Sequence, residues 1–252
     1  MIPRLALFDL DDTLFAHSSA VVEGIERHLA SVAGAFSSVA GAFSSVDRAE
    51  ALTLWRSLEE EHYHSYLAGV LDYHGQRRAR ARDFAAAHGV ELTDAEALAW
   101  FNSYLLHYRA GWRLHEDALP CLDALAEWFP GIRFGLITNG DLAFQSEKLR
   151  ETGLDRRVEH VIASGELDFA KPDARIFLHA CETFGVRPAH AVYVGDRLRT
   201  DAIGAAAAGL TGVWLDRHDA AAPGIDVAEA DRLGVIRIAG LAALPDALAA
   251  RP

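Results

Sequence analysis

Closely spaced aspartates follow the first apolar run of the chain. Asp9, Asp11 and Asp12 lie in the sequence FDLDDT, directly after that run. In open α/β sheets, ligands bind beyond the carboxyl ends of the strands, so carboxylates at this spacing could share a metal ion and a reacting group. A calcium loop of the EF-hand type needs glycine at its sixth position and glutamate at its twelfth. Leu14 and Ala20 stand at those positions, so a calcium loop is excluded.

A hydroxyl and an amide side chain, Thr138 and Asn139, follow a later apolar run and precede Gly140. If a helix begins here, its free backbone N–H groups and the hydroxyl could bind phosphate oxygens. Asn-Gly is also common in simple turns, so this segment by itself has two interpretations.

Two more acidic residues, Asp196 and Asp201, follow another apolar run. Hard carboxylate oxygens suit Mg²⁺, which predicts Asp196 as a metal ligand and Asp201 as its helper. The alternative for Asp201 is a carboxylate placed early in a helix, where the helix dipole favours negative charge.

Lysine is rare in this chain. Lys and Arg together number 24, and only Lys148 and Lys171 are lysines. Lys171 precedes Pro172, and proline is common at helix starts, so Lys171 could be a solvated residue beside a helix. Because the chain otherwise uses arginine, a compact ammonium at 171 instead indicates a site that a planar guanidinium does not fit. Lys148 is predicted to lie on the exposed face of a helix near residues 142–151.

Short apolar runs alternate with helix-like segments along most of the chain. Continuous apolar runs bounded by glycine or aspartate are typical of strands that are buried on both faces. Their alternation with helices predicts an α/β fold with a doubly wound, Rossmann-like parallel sheet. The predicted strands are 5–10, 132–138, 160–164, 191–196, 211–216 and 235–239.

The segment 16–116 interrupts this alternation because it contains no convincing strand, and it predicts a helical insert. Within it the heptad SVAGAFS occurs twice in tandem, over 31–44. Seven residues are close to two helical turns, so the duplication lengthens one helix, and its serines and glycines argue against a membrane span. The predicted helices are 20–46, 47–74, 76–88 and 94–111.

Four aromatic residues recur every four positions along and just beyond the last of these helices: Trp100, Tyr104, Tyr108 and Trp112. That spacing favours a stripe that packs in the core of the insert. Stacking of these rings on a substrate is the alternative.

Composition excludes some partners. A formal net charge of -12 argues against general nucleic-acid binding, which needs a basic face. A phosphorylated substrate would therefore need local positive charge. Cys121 and Cys181 show no zinc-ligand spacing and form no disulfide framework, so a reducing compartment, the cytoplasm, is expected. No membrane partner is expected, and the sequence leaves the oligomeric state open.

Together, and in their order along the chain, the four polar segments resemble the motifs of the haloacid dehalogenase (HAD) superfamily. The resemblance covers about 1–15 and 117–240, and a helical insert after the first motif is similar to the family's C1 cap class. It implies a HAD core domain at 1–15 and 117–252, and a cap domain at 16–116.

The resemblance also implies a role for each residue. Asp9 is the nucleophile. Asp11 is the general acid and base, and its backbone carbonyl also binds Mg²⁺. Thr138 and the backbone of Asn139 hold the phosphoryl oxygens, while Lys171 bridges nucleophile and phosphate. The metal residues that it implies are Asp9, Asp11, Asp196 and Asp201.

Within this family, dehalogenases lack the second aspartate, because a halide leaving group needs no proton. Asp11 therefore favours an ester whose leaving alkoxide must be protonated. The expected function is Mg²⁺-dependent hydrolysis of a phosphomonoester through an aspartyl-phosphate, on a small phosphorylated metabolite or nucleotide. A phosphotransferase or mutase of the same superfamily, and an idle protein that binds a phosphorylated ligand, are the alternatives.

Overall fold

The computed structural model describes residues 2–35, 46–219 and 221–250. Most of the duplicated heptad at 31–44 falls outside the described residues. The chain divides into two compact units, one formed by Met1–Ala16 with Arg113–Pro252 and the other by His17–Trp112.

A six-stranded sheet forms the centre of the first unit, and all of its described pairings are parallel. The strands match the predicted apolar runs, and in the four central strands all residues but one are buried, because helices cover both faces of such a sheet. The predicted α/β fold with a doubly wound parallel sheet is confirmed. The strands are β1 (Leu5–Phe8), β2 (Arg133–Thr138), β3 (His160–Ala163), β4 (Ala191–Gly195), β5 (Thr211–Leu215) and β6 (Ile236–Ile238).

The strand order is β3-β2-β1-β4-β5-β6. From β1 the chain builds the sheet first towards β3, and then crosses to the other side of β1 to add β4. A crevice opens at such a topological switch point, beyond the carboxyl ends of the two strands. The order therefore brings the residues that follow β1 and β4 together at one edge of the sheet.

Ten α-helices are described, and none of them is long and apolar enough to cross a bilayer. They are α1 (His17–Ala35), α2 (Arg48–Leu67), α3 (Tyr73–Ala87), α4 (Asp94–Arg109), α5 (Ala118–Trp128), α6 (Leu142–Thr152), α7 (Ala174–Thr183), α8 (Gly204–Ala207), α9 (Gly224–Leu233) and α10 (Leu244–Ala249).

The two helices that follow β2 and β3 have clear end signals. Asp141 caps α6 by accepting a hydrogen bond from the backbone N–H of Phe144, and Gly153 ends the helix with a φ of 72°. Helix α7 begins at Ala174, because the side chain of Asp173 caps it by accepting from the backbone N–H of Arg175.

The second unit consists of the helices α1 to α4. The ring of Trp55 lies at the centre of its core, 4.7 Å from the ring of Tyr104 and 5.4 Å from that of Phe84, both edge to face. Trp100, Tyr104 and Tyr108 are buried, as the predicted core stripe requires, whereas Trp112 lies beyond the end of α4 and is only partly buried. Packing therefore explains the four-residue spacing of the first three of these aromatic residues.

Gly135 in β2 is expected to tolerate no side chain. A Cβ at this position would lie 2.5 Å from Cζ of the buried Phe184 and 2.9 Å from Cδ2 of Leu7. Gly135→Ala should therefore lower the free energy of unfolding by about 1–3 kcal/mol, the usual cost of overpacking a core. Urea unfolding followed by circular dichroism measures the change. Gly224→Ala is the control, because nothing lies within 4 Å of its Cβ position, and equal unfolding midpoints for the two variants would contradict the expectation.

Candidate active site

A tight turn follows β1 and carries the partly exposed Asp11 and Asp12 of the first motif. The backbone N–H groups of Leu14 and Phe15 donate to the carbonyl oxygen of Leu10 at 3.1 and 2.9 Å. Asp12 adopts a left-handed conformation with a φ of 58°, which aspartate tolerates better than most residues. Asp9 remains tied to the sheet, because its N–H donates to the carbonyl oxygen of Val194 at 2.8 Å.

Three carboxylates meet where β1 and β4 end. Asp9, Asp196 and Asp201 each offer an oxygen within 4.8 Å of the others. Such a set of hard oxygen ligands fits a divalent cation such as Mg²⁺. The approach of Asp201 depends on Gly195, since a Cβ there would lie 2.4 Å from Cγ of Asp201.

Asp201 lies in a π-helical turn, Leu198–Ile203. Turns of this kind are frequent at functional sites. The backbone N–H of Arg197 donates to Oδ2 of Asp201 at 2.9 Å, and the ammonium of Lys171 donates to Oδ1 at 2.7 Å. Because both of its oxygens accept hydrogen bonds, Asp201 is better suited to orienting the site than Asp9 and Asp196, which are the stronger candidates for direct metal ligands.

The ammonium of Lys171 lies inside this cluster, with 6% of the residue exposed. Its Nζ donates to Asp9 at 2.5 Å, to Asp201 at 2.7 Å and to the hydroxyl of Tyr193 at 2.8 Å. Three partners match the three donors of an ammonium, which a planar guanidinium would not satisfy in the same space. Sequence reasoning missed Tyr193, because a tyrosine inside an apolar run looks like an ordinary strand residue.

Burial and mutual repulsion change the acidity of these groups. Burial raises the pKa of Asp9 to about 7, with Lys171 opposing the shift and Asp201 adding to it. Burial and the charges of Asp201 and Asp9 likewise raise the pKa of Asp196 well above its usual value. Burial alone would lower the pKa of Lys171, but Asp201 and Asp9 outweigh it and hold the pKa well above its ordinary value. The cluster therefore carries more negative charge than one ammonium offsets, and a bound cation would relieve this.

The second motif is tied to the third by the side chain of Asn139. Its Oδ1 accepts from the backbone N–H of Lys171 at 2.8 Å, and its Nδ2 donates to the carbonyl oxygen of Lys171 at 2.9 Å. This amide therefore fixes the backbone that carries the buried ammonium. The hydroxyl oxygen of Thr138 accepts from the backbone N–H of Gly140 at 3.2 Å and from Nε2 of Gln145 at 3.0 Å.

Lys148 is buried, and the prediction that it lies on an exposed helix face is wrong. Only 2% of the residue is exposed, and its Nζ donates to Oδ1 of Asp11 at 2.6 Å. Gln145, Lys148 and Leu149 form the buried face of α6, at the spacing of adjacent helical turns. The rarity of lysine, which had pointed to Lys171, applied equally to Lys148 and could have identified it.

Asp11 therefore has different surroundings from Asp9. Its Oδ1 accepts from Lys148, and its Oδ2 accepts from Nε2 of Gln145 at 3.0 Å. The side chain of Asp11 is 31% exposed, whereas that of Asp9 is 11% exposed. Asp9 and Asp11 therefore have different contacts, Asp9 within the acidic cluster and Asp11 beside α6. Gln145 is the second residue that sequence reasoning missed.

The model of the haloacid dehalogenase-like hydrolase family matches residues 3–209 of the chain. With this match, the parallel sheet and the four motifs at its strand ends, the chain belongs to that family. The phosphoserine phosphatase of Thermus thermophilus is 33% identical over 227 residues, 85% of this chain and 89% of its own length. The glyceraldehyde 3-phosphate phosphatase of Methanopyrus kandleri is 29% identical over 219 residues, 85% of this chain and 84% of its own. The chain is accordingly an enzyme of the phosphatase class.

Solved structures share the fold more widely. The HAD-hydrolase YfnB from Bacillus subtilis has a TM-score of 0.77 at 18% identity, with 99% of this chain and 100% of that chain covered. Haloacid dehalogenases share the fold as well. The fold is therefore common to different reactions, and the residues at the strand ends have to distinguish them.

Asp9 should make the metal-free protein less stable as the pH rises. Its pKa in the folded protein, about 7, lies above the ordinary value of 3.8, so the folded state retains this proton to a higher pH than the unfolded state. This contribution to stability is present at low pH and is lost as the pH rises through about 7. In EDTA, the melting temperature of Asp9→Asn relative to wild type should therefore increase from pH 5 to pH 8. The exposed Asp155→Asn is the control, and a pH-independent difference for Asp9→Asn would contradict the assignment.

Proposed function

We propose that this enzyme is a Mg²⁺-dependent phosphomonoester hydrolase that forms an aspartyl-phosphate on Asp9. The different surroundings of Asp9 and Asp11 carry the proposal. Asp9 lies among carboxylates beside the ammonium of Lys171, whereas Asp11 lies outside that cluster with a third of its side chain exposed. Two carboxyl groups in different environments are the usual arrangement for a nucleophile and an acid–base partner.

Phosphate binding is proposed for Thr138, the backbone of Asn139 and Lys171. The hydroxyl oxygen of Thr138 already accepts two hydrogen bonds, so its own proton can be donated to a phosphoryl oxygen. The ammonium of Lys171 lies against the nucleophile and would meet the charge of the transferring phosphoryl group.

Mg²⁺ would be held by the carboxylates of Asp9 and Asp196 and by the backbone carbonyl of Asp11, with Asp201 orienting the metal or its waters. It would supply positive charge to the phosphoryl oxygens when bound. Its charge would also offset the repulsion that raises the pKa values of Asp9 and Asp196.

The proposed reaction has two steps, formation of the aspartyl-phosphate and its hydrolysis. A carboxylate oxygen of Asp9 attacks phosphorus, the bond from phosphorus to the ester oxygen breaks, and the carboxyl group of Asp11 gives its proton to the leaving oxygen. In the second step water attacks phosphorus and gives a proton to the carboxylate of Asp11. The bond to Asp9 breaks, inorganic phosphate leaves, and the Asp9 carboxylate is regenerated.

A small phosphomonoester is the proposed substrate class, since the two phosphatase relatives are named for glyceraldehyde 3-phosphate and phosphoserine. We further propose that residues 16–116 form the cap domain, and residues 1–15 with 117–252 the core domain. The cytoplasm is the proposed location, to which the two free, buried cysteines, Cys121 and Cys181, are suited.

Hydrolysis of p-nitrophenyl phosphate tests the reaction. Wild type should release nitrophenol and inorganic phosphate in equal amounts. EDTA should stop the reaction, Mg²⁺ should restore it, and Ca²⁺ should not, because calcium prefers more ligands and looser geometry. Asp9→Asn should reduce turnover to background with the fold intact, while the exposed Asp155→Asn should retain full activity.

Other outcomes of this assay identify the alternatives. Nitrophenol release without matching phosphate, in the presence of an alcohol acceptor, would indicate a phosphotransferase or mutase. No turnover at all would indicate a protein that only binds phosphorylated ligands. Full activity after exhaustive dialysis against EDTA would rule out the metal.

Lys171→Arg should lower kcat/KM by about 100-fold, because small misplacements of reacting groups cost that much. The charge is preserved, but a guanidinium cannot make the three contacts that the ammonium makes with Asp9, Asp201 and Tyr193. Arg175→Lys is the control, since the side chain of Arg175 is 63% exposed. Equal, wild-type-like rates for both variants would show that Lys171 is not catalytic.

A further inference from the structure

We propose that Lys148 and Gln145 are positioning residues that hold the carboxyl group of Asp11 in place for proton transfer, an inference that rests on the proposed function. The two residues are three positions apart on α6 and so share one face of it. Lys148 donates to Oδ1 of Asp11 at 2.6 Å, and Gln145 donates to Oδ2 at 3.0 Å. Because a side chain of the helix donates to each oxygen, the helix fixes both the location and the plane of the carboxyl group.

The burial of Lys148 indicates that it positions Asp11 and does not chiefly stabilise the fold. Its ammonium lies 4.9 Å from the ring centroid of Phe15 and 5.3 Å from that of Phe144, in surroundings that exclude water. A buried ion pair contributes little that an apolar side chain of similar volume would not contribute to stability. Yet one of only two lysines in the chain is placed here, and the other contacts Asp9.

Gln145 links Asp11 to the proposed phosphate site. The same Nε2 that donates to Asp11 also donates to the hydroxyl of Thr138, at 3.0 Å in each case. Gly140 leaves room for this amide, because a Cβ there would lie 2.6 Å from Nε2 of Gln145. One amide group therefore sets the distance between the acid–base residue and a hydroxyl that would bind the phosphoryl group.

The arrangement holds Asp11 from one side and leaves it open on another, since 31% of its side chain is exposed. A general acid must lie within hydrogen-bond reach of the atom it protonates. Loss of either donor should leave Asp11 present but misplaced. The consequence should be greatest for esters whose leaving oxygen needs a proton.

The test compares substrates that differ in their leaving groups. Nitrophenolate leaves from p-nitrophenyl phosphate without a proton, whereas the leaving oxygens of phenyl phosphate and glycerol 2-phosphate need one. In Lys148→Met and in Gln145→Met, kcat/KM for the latter two esters should fall by about 100-fold. For p-nitrophenyl phosphate, kcat/KM should stay close to wild type in Lys148→Met. In Gln145→Met it should fall less than for the other two esters, because Gln145 also contacts Thr138 of the proposed phosphate site.

A second readout uses the hydrolysis of the aspartyl-phosphate. For p-nitrophenyl phosphate, kcat/KM reports only the steps up to departure of the leaving group, whereas kcat also includes the attack of water, for which Asp11 is the base. In both variants kcat and KM for this ester should therefore fall together. A merely structural role for Lys148 or Gln145 would not lower kcat and KM together in this way.

Two further variants make the outcome decisive. Arg150→Met alters an exposed cation on the same helix and should behave as wild type, while Asp11→Asn should show the leaving-group difference in its strongest form. If Asp11→Asn shows the difference and Lys148→Met and Gln145→Met lose activity equally on all three esters, the inference is overturned. If Lys148→Met does not fold, Gln145→Met decides by the same criterion. An inactive wild type would instead overturn the proposed function.

Discussion

Repulsion among carboxylates at the ends of β1 and β4 is the constraint on which the rest of the site depends. Asp9, Asp196 and Asp201 lie within a few ångströms of one another, and burial strengthens their interaction because little water screens it. Lys171 offsets part of this charge with three hydrogen bonds. The remaining negative charge is suited to binding a divalent cation.

Much of the surrounding structure holds this ammonium and these carboxylates in position. Asn139 fixes the backbone of Lys171, and Gly195 allows Asp201 to approach the end of β4. Tyr193 extends the network into the sheet by donating to the carbonyl oxygen of Ile137 at 3.2 Å. Residues from three strands and the turns that follow them therefore form one hydrogen-bond network. A substitution at one of them should alter the positions of the others.

The second buried lysine, Lys148, gives Asp11 different surroundings from those of Asp9. Lys148 and Gln145 draw the carboxyl group of Asp11 towards α6 and away from the acidic cluster. Because dehalogenases share this fold, the sheet alone does not select the reaction. In the proposed function, the contacts of Asp11 would suit it to protonate a leaving oxygen.

The sequence by itself determined the parallel sheet, since buried strands need continuous apolar runs, and it determined which polar residues follow those runs. It also indicated Lys171 through the rarity of lysine, and the core stripe of α4 through its four-residue spacing. It did not reveal the roles of Tyr193, Gln145 and Lys148, which look like ordinary strand and helix residues in one dimension. Only the tertiary structure decided these, because the strand order and the packing of α6 bring side chains more than a hundred residues apart, Asp11 and Lys148, into contact.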